Sequence, residues 1–176
     1  YSGGLNKFNY DWTKYKYIAH ALGGVGGKTY TNSIQAFEHN YNKGFKVFEV
    51  DLDFTSDDEL IAWHSFDKTS LKEMGLPEKY ATKKPTLAEF KSMKPYGKYT
   101  TMTFKDVVSY MEKYDDVYML IDLKSAEDDK VIKLYKRIVE EASPDVLDRL
   151  VPQVYRESTY NEIMNVYNFK SASFTC

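Results

Sequence analysis

Cysteine is nearly absent from this sequence: the single cysteine, Cys176, is the last residue. One cysteine excludes an intramolecular disulfide, so the fold must be held together by its packed core. The same usage fits a reducing compartment and a cysteine-poor secreted bacterial protein. Long apolar runs are missing too, since no stretch approaches the roughly 20 residues that a membrane-spanning helix needs.

The sequence also has no excess of basic over acidic residues. The net charge is −2 and the isoelectric point is near 6.0, whereas nucleic-acid-binding domains usually carry a strongly basic face. We therefore expect no nucleic-acid partner. The first residue is Tyr1 rather than methionine, from which we expect that an upstream segment has been removed.

What is present is an ordinary globular composition, 43% hydrophobic and 28% charged over 176 residues. This length predicts a single domain, residues 1–176. Strand-like runs such as 45–54 alternate with helical runs such as 31–44, which predicts an α/β fold with mostly parallel strands. Five or six strands are predicted, whereas a complete eight-stranded β/α barrel takes about 250 residues. We expect either an open α/β sheet or a barrel that lacks its last strands.

The segment GFKVFEVDLDF, residues 44–54, places acids within an apolar strand. Residues i and i+2 share a face of a strand, so Glu49, Asp51 and Asp53 lie together while Val50 and Leu52 face the other way. Acids at the carboxyl end of one face indicate a polar site there. For Asp53 a solvated loop position is an equally good interpretation.

The strand-like run at 59–65 follows too closely for a parallel crossover, so the two runs are predicted to form a hairpin. If Asp57 and Asp58 make a two-residue loop, residue 51 pairs with residue 64. His64 would then lie opposite Asp51 on the acidic face. A register shifted by one residue would turn His64 away.

Two other strands end in polar residues: His20 ends the run 14–20, and Asp122 and Lys124 end the run 116–125. The carboxyl ends of parallel strands meet at one edge of a sheet, where ligands bind. We therefore expect these three residues to join the acids and His64. A lone histidine is more often structural than catalytic. The prediction therefore depends on the histidines and the acids falling together at strand ends.

Such a cluster suits one kind of chemistry. Carboxylates without cysteine partners are ligands for Mg²⁺ or Ca²⁺. Two histidines beside the metal can act as general acid and general base near neutral pH. A neighbouring lysine can hold an anion. Together these groups predict a phosphodiester-cleaving metal site.

A competing interpretation concerns LGGVGGKT, residues 22–29. It follows a predicted strand and resembles the phosphate-binding loop G-x-x-x-x-G-K-[ST] of nucleotide-binding proteins. However, its first position is Leu22 rather than glycine, and the helix-capping residues come later, at 31–33. A P-loop also leaves the acidic hairpin unexplained, so it is the less favoured alternative.

The ordered set of motifs resembles the glycerophosphodiester phosphodiesterase family, within the phosphatidylinositol-phospholipase-C-like superfamily. That family has His-Arg-Gly after its first strand, an Asn at its first helix, Glu-x-Asp, a Thr-x-Asp turn, His-Asp and later Glu-x-Lys. The resemblance covers about residues 16–155. The matching residues here are His20, Asn32, Glu49, Asp51, Thr55, Asp57, His64, Asp122 and Lys124.

The resemblance implies a TIM-barrel-like β/α fold, here without its last strands, that cleaves glycerophosphodiesters to an alcohol and glycerol 3-phosphate. It implies that a divalent metal, Ca²⁺ or Mg²⁺, is bound by three acids, Glu49, Asp51 and Asp122. His20 and His64 would be the catalytic acid and base. Lys124 would bind the substrate by steadying its phosphate.

The sequence departs from the family pattern in three places. Ala21 stands where the family has arginine, and Lys28 is a candidate to replace that charge. Asp122 stands where the family has glutamate. The His-Asp pair is interrupted by Ser65, with Asp67 further on. These departures keep open a second hypothesis, a catalytically degenerate binding module of the same fold for a polar ligand.

The expected partner is a small-molecule phosphodiester substrate. Family habit and the first residue lead us to expect an extracellular or membrane-associated bacterial location. If the barrel lacks its last strands, self-association or a second chain would be expected to complete it.

Overall fold

Residues 11–123 and 127–175 are described by the computed structural model. The strands are β1 (Ile18–Ala19), β2 (Val47–Phe54), β3 (Leu60–Ala62), β4 (Met102–Thr103), β5 (Tyr118–Leu123), β6 (Leu150–Val154) and β7 (Ser173–Phe174). The helices are α1 (Ile34–Asn42), α2 (Lys68–Glu73), α3 (Leu87–Ser92), α4 (Phe104–Lys113), α5 (Asp128–Glu141), α6 (Pro144–Leu147) and α7 (Glu157–Val166).

The strands form one mixed sheet in the order β4-β3-β2-β5-β6-β7, with β1 also paired to β2. The pairs β1–β2, β2–β5, β5–β6 and β6–β7 are parallel, and only β3 and β4 run against their neighbours. The predicted α/β class is therefore confirmed. Within the described part of the chain the end strands β4 and β7 are not paired with each other, so the sheet is open.

The two faces of β2 are buried against different partners. Phe48, Val50 and Leu52 belong to the main core, which α1, α4 and α5 cover. On the opposite face Val47 packs in a smaller cluster, which the 11–18 segment covers with Trp12. The opposite face is thus apolar at the amino end of β2 and becomes acidic only toward the carboxyl end, as the alternation of the sequence predicts.

The segment between β3 and β4 forms a core of its own. Trp63, Phe66, Leu71 and Phe90 lie in this cluster, and α2 and α3 contribute to it. The pairing of Ile61 with residue 103 then returns the chain to the sheet. The sequence analysis predicted neither the six-residue α2 nor the two-residue β4, because elements this short carry little periodicity.

The β2–β3 hairpin is antiparallel as predicted, but the predicted register is wrong by one residue. Asp53 pairs with Ile61, and the backbone N–H of Trp63 donates to the carbonyl of Asp51 at 2.9 Å. Residue 63, and not His64, is therefore the residue opposite position 51.

The hairpin loop explains the shift. The backbone N–H of Thr55 donates to the carbonyl of Glu59 at 2.9 Å, which leaves three residues in the loop instead of two. The last of them, Asp58, has a φ of 61°, and a three-residue loop that ends in a left-handed residue is a common hairpin form. Because β3 ends at Ala62, strand alternation does not set the direction of His64.

The glycine-rich loop is not a P-loop. Val25 and Lys28 form an isolated antiparallel bridge around Gly26 and Gly27, both of which have positive φ, as a tight turn requires. The next helix begins at residue 34 with Ser33 as its N-cap. A phosphate-binding loop needs the helix to begin at its Lys-Thr pair, so the nucleotide-binding alternative is wrong.

A buried arginine ties α4 to the two strands that follow it. Arg149 is fully buried and donates to the carbonyls of Met111 at 2.7 Å, Val117 at 2.8 Å and Tyr114 at 3.3 Å. These bonds satisfy carbonyl groups at the end of α4, which have no partner within the helix. They also fix the start of β5, the strand that carries Asp122.

No helix in the described residues is long and apolar enough to span a bilayer.

Arg149→Met should lower the free energy of unfolding by about 3 kcal/mol, because it strips buried carbonyl groups of their charged donor. Urea denaturation measures the change. The matched control is Arg156→Met, since Arg156 and Asp128 form a solvent-exposed pair that should contribute less than about 1 kcal/mol. Equal effects of the two substitutions would contradict the role given to Arg149.

Candidate functional site

Three carboxylates meet at the carboxyl ends of β2 and β5. The parallel register places Asp51 beside Asp122 and Glu49 beside Leu120. One carboxylate oxygen from each of the three acids lies within 4.8 Å of the others. Asp51 is 1% exposed and Glu49 is 7% exposed, so these two acids are shielded from water, whereas Asp122 is half-buried. The structure therefore brings together the three predicted metal ligands.

Asn32 orients the most deeply buried acid. Its side-chain Nδ2 donates to Asp51 Oδ2 at 3.0 Å, and its Oδ1 accepts from the backbone N–H of Asp51 at 3.3 Å. Asn32 is itself fully buried and has a φ of 43°, a left-handed conformation that asparagine tolerates better than most residues. One amide thus fixes the position of the Asp51 carboxylate relative to β2.

His20 lies on the exposed side of the same cluster. Its Nδ1 contacts Glu49 Oε2, while its side chain is 69% exposed. A carboxylate that accepts from Nδ1 leaves Nε2 as the ring nitrogen available to a substrate. Burial raises the pKa of Glu49; the His20 contact opposes this rise, and the negative charge of Asp51 adds to it.

The loop after His20 is anchored by a second buried amide. Asn40 Nδ2 donates to the carbonyls of Leu22 at 3.1 Å and Gly24 at 3.0 Å. Between them, Gly23 has a φ of 90°, and a Cβ there would lie 2.3 Å from Asn40 Nδ2. Glycine is therefore required on both conformational and steric grounds, and α1 holds the turn that follows His20.

Position 21, where the family has arginine, is buried in this structure. Ala21 is fully buried and has a φ of 49°, so its side chain does not reach the solvent. Lys28, the suggested replacement, lies elsewhere: its ammonium group sits over the Tyr96 ring, 4.6 Å from the centroid. Neither residue gives the site the charge that the family arginine would carry.

His64 is half-buried and packs at a tilt against an aromatic ring. The centroids of His64 and Tyr30 lie 4.7 Å apart. Tyr30 and His20 both line a cavity of about 330 Å³, so Tyr30 links the two histidines. Tyr30 has a φ of 58°, and such local backbone strain concentrates at functional sites. The sequence analysis missed Tyr30, although it lies within the loop that follows the His20 strand.

Asp122 has a tyrosine partner that the sequence analysis also missed. Tyr155, the first residue after β6, donates through its hydroxyl to Asp122 Oδ1 at 3.3 Å. The only available signal was its place at the carboxyl end of a predicted strand. Lys124, the predicted phosphate-binding residue, lies outside the described residues.

Asp53 does not belong to the cluster of three acids. Its Oδ1 accepts from Lys84 Nζ at 2.7 Å, and both residues line a separate cavity of about 660 Å³ together with Lys130 and Lys133. Neither interpretation from the sequence holds, because Asp53 lies within β2, outside the acidic cluster, and its side chain is only 24% exposed.

Two other acids near the motifs hold turns together. Asp57 Oδ1 accepts from the hydroxyl of Thr55 at 2.6 Å and from the backbone N–H of Leu87 at 2.8 Å. These bonds lower the pKa of Asp57, and the bond from Thr55 has the larger effect. The Thr-x-Asp motif therefore joins the hairpin to the start of α3. Asp67, the acid beyond the interrupted His-Asp pair, is the N-cap of α2, where it accepts from the backbone N–H of Ser70.

The comparison with known families agrees with this geometry. The glycerophosphoryl diester phosphodiesterase family matches residues 24–172, which include the three clustered acids and His64. The chain belongs to this family. A search of the curated proteins found no match.

Solved structures of similar fold are named as members of the same family. A glycerophosphodiester phosphodiesterase from Parabacteroides distasonis is 19% identical with a TM-score of 0.69, over 89% of this chain and 63% of that one. A putative one from Silicibacter pomeroyi is 15% identical with a TM-score of 0.68, over 90% and 63%.

A phosphodiesterase from Oleispira antarctica, solved with the product sn-glycerol-3-phosphate, is 16% identical with a TM-score of 0.63, over 89% and 64% of the two chains. At these identities the three likenesses establish the fold. The chain spans just under two thirds of the length of each of the three solved structures.

Glu49→Gln should stabilise the metal-free protein. Because the pKa of Glu49 is raised from its ordinary 4.5, the folded state binds this proton more tightly than the unfolded chain does. Stability therefore falls as the pH rises from the unfolded pKa through the folded one. In EDTA at about pH 8 we expect Glu49→Gln to unfold at a higher temperature than the wild type. At about pH 4 this difference in unfolding temperature should disappear.

Thermal unfolding followed by circular dichroism measures this pH dependence. Glu112→Gln, an exposed position on α4, is the matched control and should show no such difference. A lower unfolding temperature for Glu49→Gln at the higher pH would contradict the assignment.

Proposed function

We propose that this protein hydrolyses a glycerophosphodiester to an alcohol and glycerol 3-phosphate, with a divalent metal held by Glu49, Asp51 and Asp122. The single observation that carries the proposal is the convergence of these three carboxylates, two of them buried and Asp122 half-buried, beside His20 at one edge of the sheet. Membership in the family supports the class of reaction.

The acid cluster fits a hard cation such as Ca²⁺ or Mg²⁺. The three carboxylates offer oxygen ligands only. Burial, and to a smaller extent the negative charges of Asp51 and Asp122, raise the pKa of Glu49, which is the direction expected for a buried acid beside like charges. A bound divalent ion would neutralise the cluster and polarise a phosphoryl oxygen of the substrate. Asn32 keeps Asp51 in place, and His20 contacts Glu49 on its outer side.

The two histidines supply the proton transfers. Hydrolysis breaks one P–O bond, so the leaving alkoxide must gain a proton and the attacking water must lose one. His20 meets this need because Glu49 engages its Nδ1 and leaves Nε2 facing outward. His64 is placed by the Tyr30 ring beside the cavity that His20 lines. We assign the pair to these transfers without dividing the acid and base roles between them.

Charge on the phosphate must be balanced without the family arginine, because Ala21 is buried. The metal and a protonated histidine provide part of that balance, and Lys124 remains the predicted lysine for the rest. The burial of Ala21 at the arginine position is also the observation that favours the second candidate. That candidate is a binding module that retains the glycerol phosphate site without turnover.

The test is release of glycerol 3-phosphate from glycerophosphocholine and glycerophosphoethanolamine, with Ca²⁺ or Mg²⁺ and with EDTA. We expect metal-dependent turnover, and a loss of about 10²- to 10⁴-fold in kcat for His20→Ala and for His64→Ala. His39→Ala is the matched control, because His39 is exposed in the last turn of α1, and it should retain full activity.

Two results would overturn the proposal. Turnover that is insensitive to EDTA and to both histidine substitutions would remove the site from the reaction. No turnover of either diester, combined with calorimetric binding of glycerol 3-phosphate, would establish the binding module instead.

A further inference from the structure

We propose that Tyr155 is a positioning residue for the metal site, acting through Asp122. The inference rests on the proposed metal role of Asp122 and assigns a function to a residue outside the family motifs named above. Tyr155 donates from its hydroxyl to Asp122 Oδ1 at 3.3 Å. One oxygen of this carboxylate is thus engaged by the phenol, and the carboxylate plane is fixed.

The sheet explains why Tyr155 can reach Asp122. The β5–β6 register pairs Leu120 with Val151, and its continuation puts residue 153 beside Asp122 and residue 155 just beyond it. Residues two apart share a face of a strand, so Val151 and residue 153 face the same side as the acid cluster. Tyr155 follows the end of β6, and its hydroxyl contact shows that its long side chain reaches back by two residue positions to Asp122.

The backbone under Tyr155 is held firmly. β7 pairs with the end of β6 through Gln153 and Val154, and the backbone N–H of Thr175 donates to the carbonyl of Val154 at 3.0 Å. Tyr155 itself is 58% exposed. The paired backbone before it therefore sets the place from which its hydroxyl reaches Asp122.

Asp122 stands where the family has glutamate, so its side chain is shorter than the family residue. A partner that orients this shorter side chain is therefore important for the site. Glu49 contacts His20 and Asp51 accepts from Asn32, so two of the three acids are oriented by partners from the first part of the chain. Tyr155 supplies the corresponding partner for Asp122 from the end of β6, the strand that flanks β5 on the side away from β2. Partners that orient metal ligands typically contribute 10- to 100-fold to metal affinity.

The experiment measures Ca²⁺ and Mg²⁺ binding by titration calorimetry for the wild type, Tyr155→Phe and Tyr17→Phe. Tyr17 is equally exposed, at 63%, but lies before β1 at the opposite end of the strands. We expect Tyr155→Phe to raise the Kd for the metal about 10-fold and Tyr17→Phe to leave it unchanged. Thermal unfolding in EDTA should be the same for all three proteins, because Tyr155 is exposed.

A kinetic readout separates positioning from a purely structural role. If Tyr155 acts through metal affinity, saturating metal should restore the activity of Tyr155→Phe to near the wild-type value. An unchanged Kd in Tyr155→Phe, while the wild type binds metal, would overturn this inference and leave the proposed function intact. Absence of metal binding by the wild type would overturn both.

Discussion

The in-register parallel pairing of β2 with β5 is the constraint on which the candidate site depends. This pairing sets Asp51 directly beside Asp122, although like charges on neighbouring strands repel each other. The pairing is imposed by the apolar residues of both strands, since Phe48, Val50 and Met119 are fully buried in the main core. Hydrophobic burial on one face therefore holds the acids together on the other.

The acids are surrounded by groups that partly offset this repulsion. Asn32 donates to Asp51, His20 contacts Glu49 and Tyr155 donates to Asp122. Each partner comes from a loop at the carboxyl end of a strand or just before α1, where an α/β sheet gathers its ligand-binding residues. The cluster could hold a cation, and gathering its acids has some cost to the stability of the metal-free fold, as is common at functional sites.

Much of this architecture could be predicted from the sequence. The helix at 31–44 was readable because capping residues precede an apolar stripe, and the structure begins α1 at Ile34 with Ser33 as its cap. The acidic face of β2 followed from strict alternation. The convergence of Glu49, Asp51 and Asp122 followed from the rule that parallel strands share a carboxyl edge.

The remaining features depended on geometry that a single sequence does not encode. The hairpin register was one residue off, because Asp58 adopts a left-handed conformation and lengthens the loop to three residues. The burial of Arg149 and the Tyr155–Asp122 contact join residues more than 30 positions apart. No periodicity links such positions, so only the folded chain shows them.

The most direct measurement is a crystal structure of the protein grown with saturating Ca²⁺. The account predicts one ion bound by carboxylate oxygens of Glu49, Asp51 and Asp122 at about 2.3–2.6 Å. His20 should remain beside Glu49 in that structure. A cluster that stays without an ion under these conditions, or an ion held instead at Asp53, would contradict it.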